Sequence, residues 1–114
     1  MAGLLGPTAF EMAPHTEVDR VVRRNVTAAL NRVDTWLEHP TFDNKAQVLD
    51  NLLGVRYAAG VAEEIVSGSM ILHSHSFDVD WLLFSDLIVS IKMSRPKSTQ
   101  RTALFRAREG MKRS

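Results

Sequence analysis

The apolar residues of this chain recur at three- and four-residue intervals, which is the spacing of one face of an α-helix. The clearest stripe lies in residues 15–38 and consists of Val18, Val22, Val26, Ala29, Leu30, Val33 and Leu37. Thr16 is a suitable N-cap for this segment, and Pro40 cannot continue it. The first predicted helix therefore runs from about His15 to Glu38.

A second segment with helical spacing follows Pro40 and is denser in apolar residues. It should begin near Asp43 or Asn44, because Asn44 and Gln47 have the spacing of a capping box. Its apolar pattern continues to about Val66, just before a Ser-Gly-Ser sequence. We predict a second helix between these limits.

Two glycines lie inside this second segment, and each lowers helix stability by up to about 1 kcal/mol relative to alanine. Gly54 and Gly60 nevertheless share the segment with three small residues, Ala58, Ala59 and Ala62. Small side chains let the backbone of another helix approach closely. The sequence therefore favours either a close helix contact here or a bend at one of the glycines.

The third helical segment extends from about Val79 to Met93 and ends before Pro96. Ser76 or Asp78 is the expected N-cap. Apolar side chains cover most of its circumference, namely Trp81, Leu82, Leu83, Phe84, Leu87, Ile88 and Ile91. A helix of this kind is expected at the centre of a core or in an oligomer interface. The preceding residues 67–77 fit either a short strand or a buried loop.

The C-terminal segment predicts a fourth, shorter helix. Ser98 is its candidate cap, its limits are about Thr99 and Glu109, and Gly110 ends it. The predicted fold class is all-α, a small bundle of three main helices with a basic C-terminal helix or arm and an extended N-terminal arm.

The corresponding domain organisation is an N-terminal arm at 1–14, a helical core domain at 15–93 and a basic C-terminal arm or helix at 94–114. A core of this size buries only about 60–65% of the surface that its unfolded chain exposes. We therefore expect support from a partner or from self-association.

Residues 1–14 have the composition of an extended segment, because glycines and prolines interrupt them and no period is present. They also carry four large apolar residues with a single charge, which is unusual for a solvated tail: Leu4, Leu5, Phe10 and Met12. Two interpretations remain open, a frayed terminus or an apolar arm that binds a neighbouring subunit. In the second interpretation these four residues are the partner-binding residues.

Charge is distributed very unevenly along the chain. Formal charge is −1 over residues 1–39, −5 over 40–91 and +7 over 92–114. The candidate residues for binding a partner or a nucleic acid are Arg95, Lys97, Arg101, Arg106, Arg108, Lys112 and Arg113. Hydroxyl and amide side chains are interleaved with them, as in segments that bind phosphate backbones. DNA or RNA, the acidic region of a neighbouring subunit, and no specific partner all remain open.

A second basic group lies on the first predicted helix, where Arg20, Arg23 and Arg24 fall opposite the apolar stripe. Asp19 and Arg23 are four residues apart, a spacing at which helical side chains form ion pairs. We interpret this group as a solvated helix face in preference to a phosphate-binding face.

One histidine pair has the spacing of metal ligands. In an extended segment His73 and His75 point the same way, and Asp78 or Asp80 would complete a three-ligand site. A third histidine at a fixed offset is missing, so loop histidines and capping aspartates are favoured.

No catalytic signature accompanies this pair. Ser74, His75 and Asp78 supply the residue types of a catalytic triad, but nothing in their spacing is specific to one. No nucleophile elbow, phosphate loop or dinucleotide fingerprint is present. We predict no enzyme activity, no cofactor and no metal.

The sequence also predicts the cellular location. It contains no cysteine, which excludes disulfides, and its N-terminus lacks the basic residue of a secretory signal. The longest apolar run, 81–93, is well short of the roughly 20 residues that cross a bilayer. We expect a cytoplasmic or particle-bound protein without membrane contact.

These features together favour a non-catalytic structural subunit of a larger complex, in which the terminal arms contact neighbouring subunits. A small head, neck or tail component of a bacteriophage has this layout, by analogy of architecture alone. The alternative is a nucleic-acid-binding protein that acts through the basic tail, as a dimer through the helix at 81–91. A metal-dependent hydrolase around His73 and His75 is the third hypothesis.

Overall fold

A computed structural model describes the backbone of residues 2–67 and 79–111 and the side chains of residues 17–62 and 79–111. These ranges contain four α-helices, α1 (Ala2–Glu38), α2 (Lys45–Ser67), α3 (Trp81–Lys92) and α4 (Lys97–Glu109). A 3-10 turn at Pro40–Phe42 joins α1 to α2. The described ranges contain no strand beyond a single antiparallel bridge between Val79 and Met111. The predicted all-α class is confirmed.

The four helices surround one hydrophobic core. α1 packs against α2 and α4, and α3 packs against the same two helices, so α1 and α3 lie diagonally across the core. The stripe predicted for the first helix faces this core, with Val18 at its partly buried edge. The largest fully buried side chains are Phe84, Leu30, Leu37, Leu52, Leu87, Ile91, Val26, Val33 and Val48.

The start of α2 follows the sequence prediction. Oδ1 of Asn44 accepts a hydrogen bond from the backbone N–H of Gln47 at 3.0 Å, as an N-cap does. The indole N–H of Trp36 donates to Oδ1 of Asp43 at 3.1 Å and so ties the end of α1 to this turn. Gly54 and Gly60 do not interrupt the helix.

The predicted caps of the last two helices are wrong. α3 is capped by Asp80, whose Oδ1 accepts from the N–H groups of Leu82 at 3.1 Å and Leu83 at 3.3 Å. α4 begins at Lys97 after Pro96 and has no side-chain cap bond, so Ser98 lies inside the helix. The cap of α3 thus lies two residues after the predicted Asp78, and α4 begins one residue before the predicted cap Ser98.

A tight turn joins α3 to α4 and makes them antiparallel. Ser94 adopts φ 54°, in the left-handed region. Its N–H bonds the carbonyl of Ile91 at 3.0 Å, and the N–H of Arg95 bonds that of Ser90 at 2.9 Å. This is the Schellman pattern, which satisfies the last carbonyls of a helix. The buried Gln100 side chain then donates to the Arg95 carbonyl at 2.9 Å and fastens α4 to the turn.

The C-terminal segment is a helix and part of the core. Gln100, Leu104 and Ala107 are buried on one side of α4, at the three- and four-residue spacing of a packed helix face. The predicted boundary at residue 94 therefore does not separate a core domain from an arm.

The prediction of an extended N-terminal arm is also wrong, because the backbone of α1 is helical from Ala2 onwards. Pro7 and Pro14 each remove one main-chain hydrogen bond, and a proline inside a helix brings its ring against the carbonyl four residues earlier, which costs about 3 kcal/mol or more. Residues 17–38 are anchored in the core, so the turns before them extend an existing helix and need no nucleation of their own. Side chains of the predicted arm residues Leu4, Leu5, Phe10 and Met12 lie outside those the structure describes.

Candidate functional site

Two of the predicted tail cations bind α1. Nη1 of Arg101 lies 2.9 Å from Oε2 of Glu38. Nη2 of Arg108 donates to Oδ1 of Asn31 at 2.8 Å and lies 3.4 Å from Oδ2 of Asp34. Both ion pairs are partly exposed, so each contributes at most about 1 kcal/mol. These arginines link α4 to α1, and their side chains remain 46% and 38% exposed.

The other described cations of the predicted set lie in two further places. Arg95 and Arg106 border a groove between α3 and α4 that also contains Asp86. Lys97 lies at a small cavity formed with Trp36, Leu37, Pro40 and Asp43. Lys112 and Arg113 lie beyond the described residues. Among the described cations of this set, Arg95 and Arg106 share one groove, whereas Arg101 and Arg108 pair with α1.

A basic groove occurs instead on α1. Its lining consists of Arg20, Arg23, Arg24, Thr27, Ala28, Asn31 and Met111. Met111 reaches this groove because α4 runs antiparallel to α1 and ends beside Thr27, whose Oγ1 lies 3.9 Å from the Met111 sulfur. The sequence had assigned these arginines to a solvated face, since it gave no indication that α4 would end next to them.

Six large apolar side chains remain exposed on α2 and α3. We call them the apolar face: Leu53, Tyr57, Val61, Leu82, Val89 and Met93. Tyr57 and Leu82 are 75% and 79% exposed. Leu53, Tyr57 and Val61 are four residues apart and form one ridge along α2. Leu82, Val89 and the C-cap residue Met93 form a second ridge along α3.

Two contacts place α2 and α3 side by side. The Arg56 guanidinium lies 4.9 Å from the centroid of the Trp81 ring. At the other end of the pair, Nζ of Lys45 lies 2.6 Å from Oγ of Ser94. α2 and α3 are therefore antiparallel neighbours. The ridge of α2 lies opposite the buried residues Val48, Leu52 and Ala59 of the same helix. In the ridge of α3, Val89 also borders the groove between α3 and α4.

The glycines of α2 border this face and are open. A Cβ atom at Gly54 would meet no described atom within 4 Å, and one at Gly60 would meet only Nη1 of Arg56 at 3.9 Å. The alanines of the predicted small-residue face, Ala58, Ala59 and Ala62, lie towards α1, whereas the two glycines make no close helix contact within the described part of the chain. Neither glycine is required by the packing that the structure describes.

The candidate metal site is largely outside the described residues. His73, Ser74, His75 and Asp78 belong to the undescribed segment 68–78. Asp80 is described, and its carboxylate caps α3. Residues with described side chains include no group of three histidines or carboxylates that could hold a metal ion.

The chain matches no protein-family model, and neither a curated protein nor a solved structure is detectably similar to it. Among the helices in the described ranges, none combines the length and the apolar character that crossing a bilayer requires. The apolar face and the basic groove are the features of the described residues that bear most directly on function.

Proposed function

We propose that this protein is a non-catalytic assembly subunit, and that two copies associate through their apolar faces. The pair would be the unit from which a larger particle, such as the bacteriophage head, neck or tail predicted from the sequence, is built. The observation that carries the proposal is the pair of exposed apolar ridges on α2 and α3.

The size of the apolar face supports a stable interface. Its six side chains are between 39% and 79% exposed. With about 200 Å² for a large side chain, they present roughly 700 Å² to solvent. The largest apolar patch on a typical monomer is about 300–600 Å², and each partner in a standard interface buries about 800 Å². One copy of this face covered by another accounts for most of such an interface.

The glycines indicate that the partner is a second copy. An interface with two-fold symmetry needs ridges and hollows on the same surface, because each copy presents both. The ridge of Leu53, Tyr57 and Val61 lies beside the open positions Gly54 and Gly60. The ridge of one α2 fits over the glycines of the other, which also explains why a helix interior retains two destabilising residues.

Replacing Leu82 by glutamate should convert the associated protein into a monomer. Leu82 is 79% exposed in the single chain, so a carboxylate there should change the stability of the monomer little. In the pair the carboxylate would be buried without an opposite charge or a hydrogen-bond donor. Light scattering coupled to size exclusion measures the mass. Phe105→Glu is the matched control, because Phe105 is 63% exposed on α4, away from this face. Equal masses for Leu82→Glu and the wild type would exclude the proposed interface.

The double substitution Gly54→Ala/Gly60→Ala should weaken association while the single chain becomes more stable. Alanine improves helix propensity by up to about 1 kcal/mol at each site, and the monomer has room for both methyl groups. In the pair the methyl groups hold the second helix away. Dilution series of the molecular mass should show dissociation at a higher concentration than in the wild type. An unchanged dissociation constant would mean that the glycines do not lie in the interface.

A further inference from the structure

One face of α1 changes from basic to acidic along its length. Arg20, Arg23 and Arg24 lie near the middle of α1, and Asp34 and Glu38 follow near its C-terminal end on the same side of the helix. The arginines of α4 pair with the acidic end. Met111, which follows α4, reaches Thr27, and no residue of α4 itself lines the basic groove.

The groove offers several donors to an anionic ligand. Arg24 is exposed and has no hydrogen-bond or ion-pair partner among residues with described side chains. Arg20 pairs with Glu17 at 2.9 Å, but the side chains are 60% and 64% exposed. Such a pair contributes little and is readily exchanged for a phosphate. Asn31 accepts from Arg108 through Oδ1, which leaves its amide N–H groups to donate.

We infer that the basic groove binds the phosphate backbone of a nucleic acid. Guanidinium groups bind phosphate oxygens with two parallel hydrogen bonds, and Thr27 and Asn31 add the hydroxyl and amide donors that such interfaces use. An acidic protein partner fits less well, because protein interfaces depend on buried apolar anchors. The groove lining offers only Ala28 and Met111 for that purpose.

This inference does not rest on the proposed self-association. α1 and α3 lie diagonally across the core, so the basic groove and the ridge on α3 are directed away from each other. It also differs from the tail prediction, because the binding residues belong to α1, whereas Arg101 and Arg108 of the tail pair with Glu38, Asn31 and Asp34.

Binding of a fluorescein-labelled DNA duplex, followed by anisotropy over a range of salt concentrations, tests the inference. Contacts of Arg20 and Arg24 to phosphates predict a slope of log K against log salt of about −1.8. Arg20→Gln/Arg24→Gln should reduce the slope to near zero and, at about 0.1 M salt, weaken binding by about 60-fold. Glu17→Gln should tighten binding, because it removes a competing negative charge from Arg20.

Arg32→Gln is the matched control. Arg32 is an exposed arginine of the same helix that does not line the groove. Its loss changes net charge by one unit, half the change in the double variant, and should leave the affinity within about twofold. Equal losses for Arg32→Gln and the double variant, or unchanged binding by the double variant, would overturn the inference. Displacement of the DNA by polyglutamate at equal charge concentration would do so as well, in favour of an acidic protein partner. The mass of the double variant by light scattering should stay that of the wild type, which separates this test from the proposed self-association.

Discussion

Replacing Leu104 by alanine should lower the free energy of unfolding by about 2–5 kcal/mol. Leu104 is only 4% exposed and belongs to the core that α4 shares with α1 and α3. The truncation removes apolar contacts and leaves a cavity that the surrounding helices fill only in part. Urea unfolding followed by circular dichroism at the helical band measures the change. The urea concentration at the midpoint of unfolding should fall, and the m-value should change little if α4 unfolds together with the other helices.

Phe105→Ala is the control for this experiment. It removes a larger side chain from the adjacent position, but Phe105 is 63% exposed, so the expected change is within about 0.5 kcal/mol. A detachable basic arm would give small effects for both substitutions. A several-fold larger loss of unfolding free energy for Leu104→Ala than for Phe105→Ala is expected only if α4 is a helix that packs through its Leu104 side.

The helical periodicity of the sequence was sufficient to place most of the core. The stripe from Val22 to Leu37 is buried as predicted, and the end of α1 at Glu38 and the N-cap at Asn44 agree with the structure. These predictions succeed because a 3.6-residue period and a capping side chain are local properties. They depend on neither the partner helix nor the direction of packing.

The apolar face illustrates what periodicity alone does not determine. The second predicted helix has more apolar residues than one buried side can hold. The structure buries Val48 and Leu52 and leaves Leu53 and Tyr57 exposed. Only the positions of α1 and α3 decide which side of α2 faces the core. The exposed ridge, which carries the proposed function, was therefore not predictable from the sequence of α2.

The basic groove was missed for a related reason. The charge count along the sequence is most positive at the C-terminus, and the arginines of α1 fit the pattern of a solvated helix face. In the structure Arg101 and Arg108 are matched by Glu38 and Asp34, which lie more than sixty residues earlier in the chain. Such pairing depends on the antiparallel packing of α4 on α1, and a charge count along the sequence contains no information about it.

Gly110→Ala should destabilise the protein by about 1–3 kcal/mol. Gly110 has φ −77° and ψ −5°, an ordinary helical conformation, so backbone strain is not the cause. The cause is space, because an added Cβ would lie 2.9 Å from the Cβ of Asp80 and 2.9 Å from Cδ1 of Leu83. Leu83 can rotate away, but the Cβ of Asp80 is fixed to the backbone at the N-cap of α3.

Relieving this clash requires the end of α4 to move away from the start of α3. That movement lengthens the 3.1 Å hydrogen bond from the Asp80 N–H to the Gly110 carbonyl and weakens the bridge between Val79 and Met111. Met111 would also shift relative to the basic groove. The variant should therefore lose thermal stability and, if the groove binds nucleic acid, some of its affinity for DNA.

Gly54→Ala provides the comparison with opposite sign. The same methyl group, placed at a helix interior where no described atom lies within 4 Å, should stabilise the single chain by up to about 1 kcal/mol. Thermal unfolding of both variants in dilute solution should give a lower midpoint for Gly110→Ala and a higher one for Gly54→Ala. Equal shifts would show that the close approach of α3 and α4 at Gly110 is not what stabilises this end of the bundle.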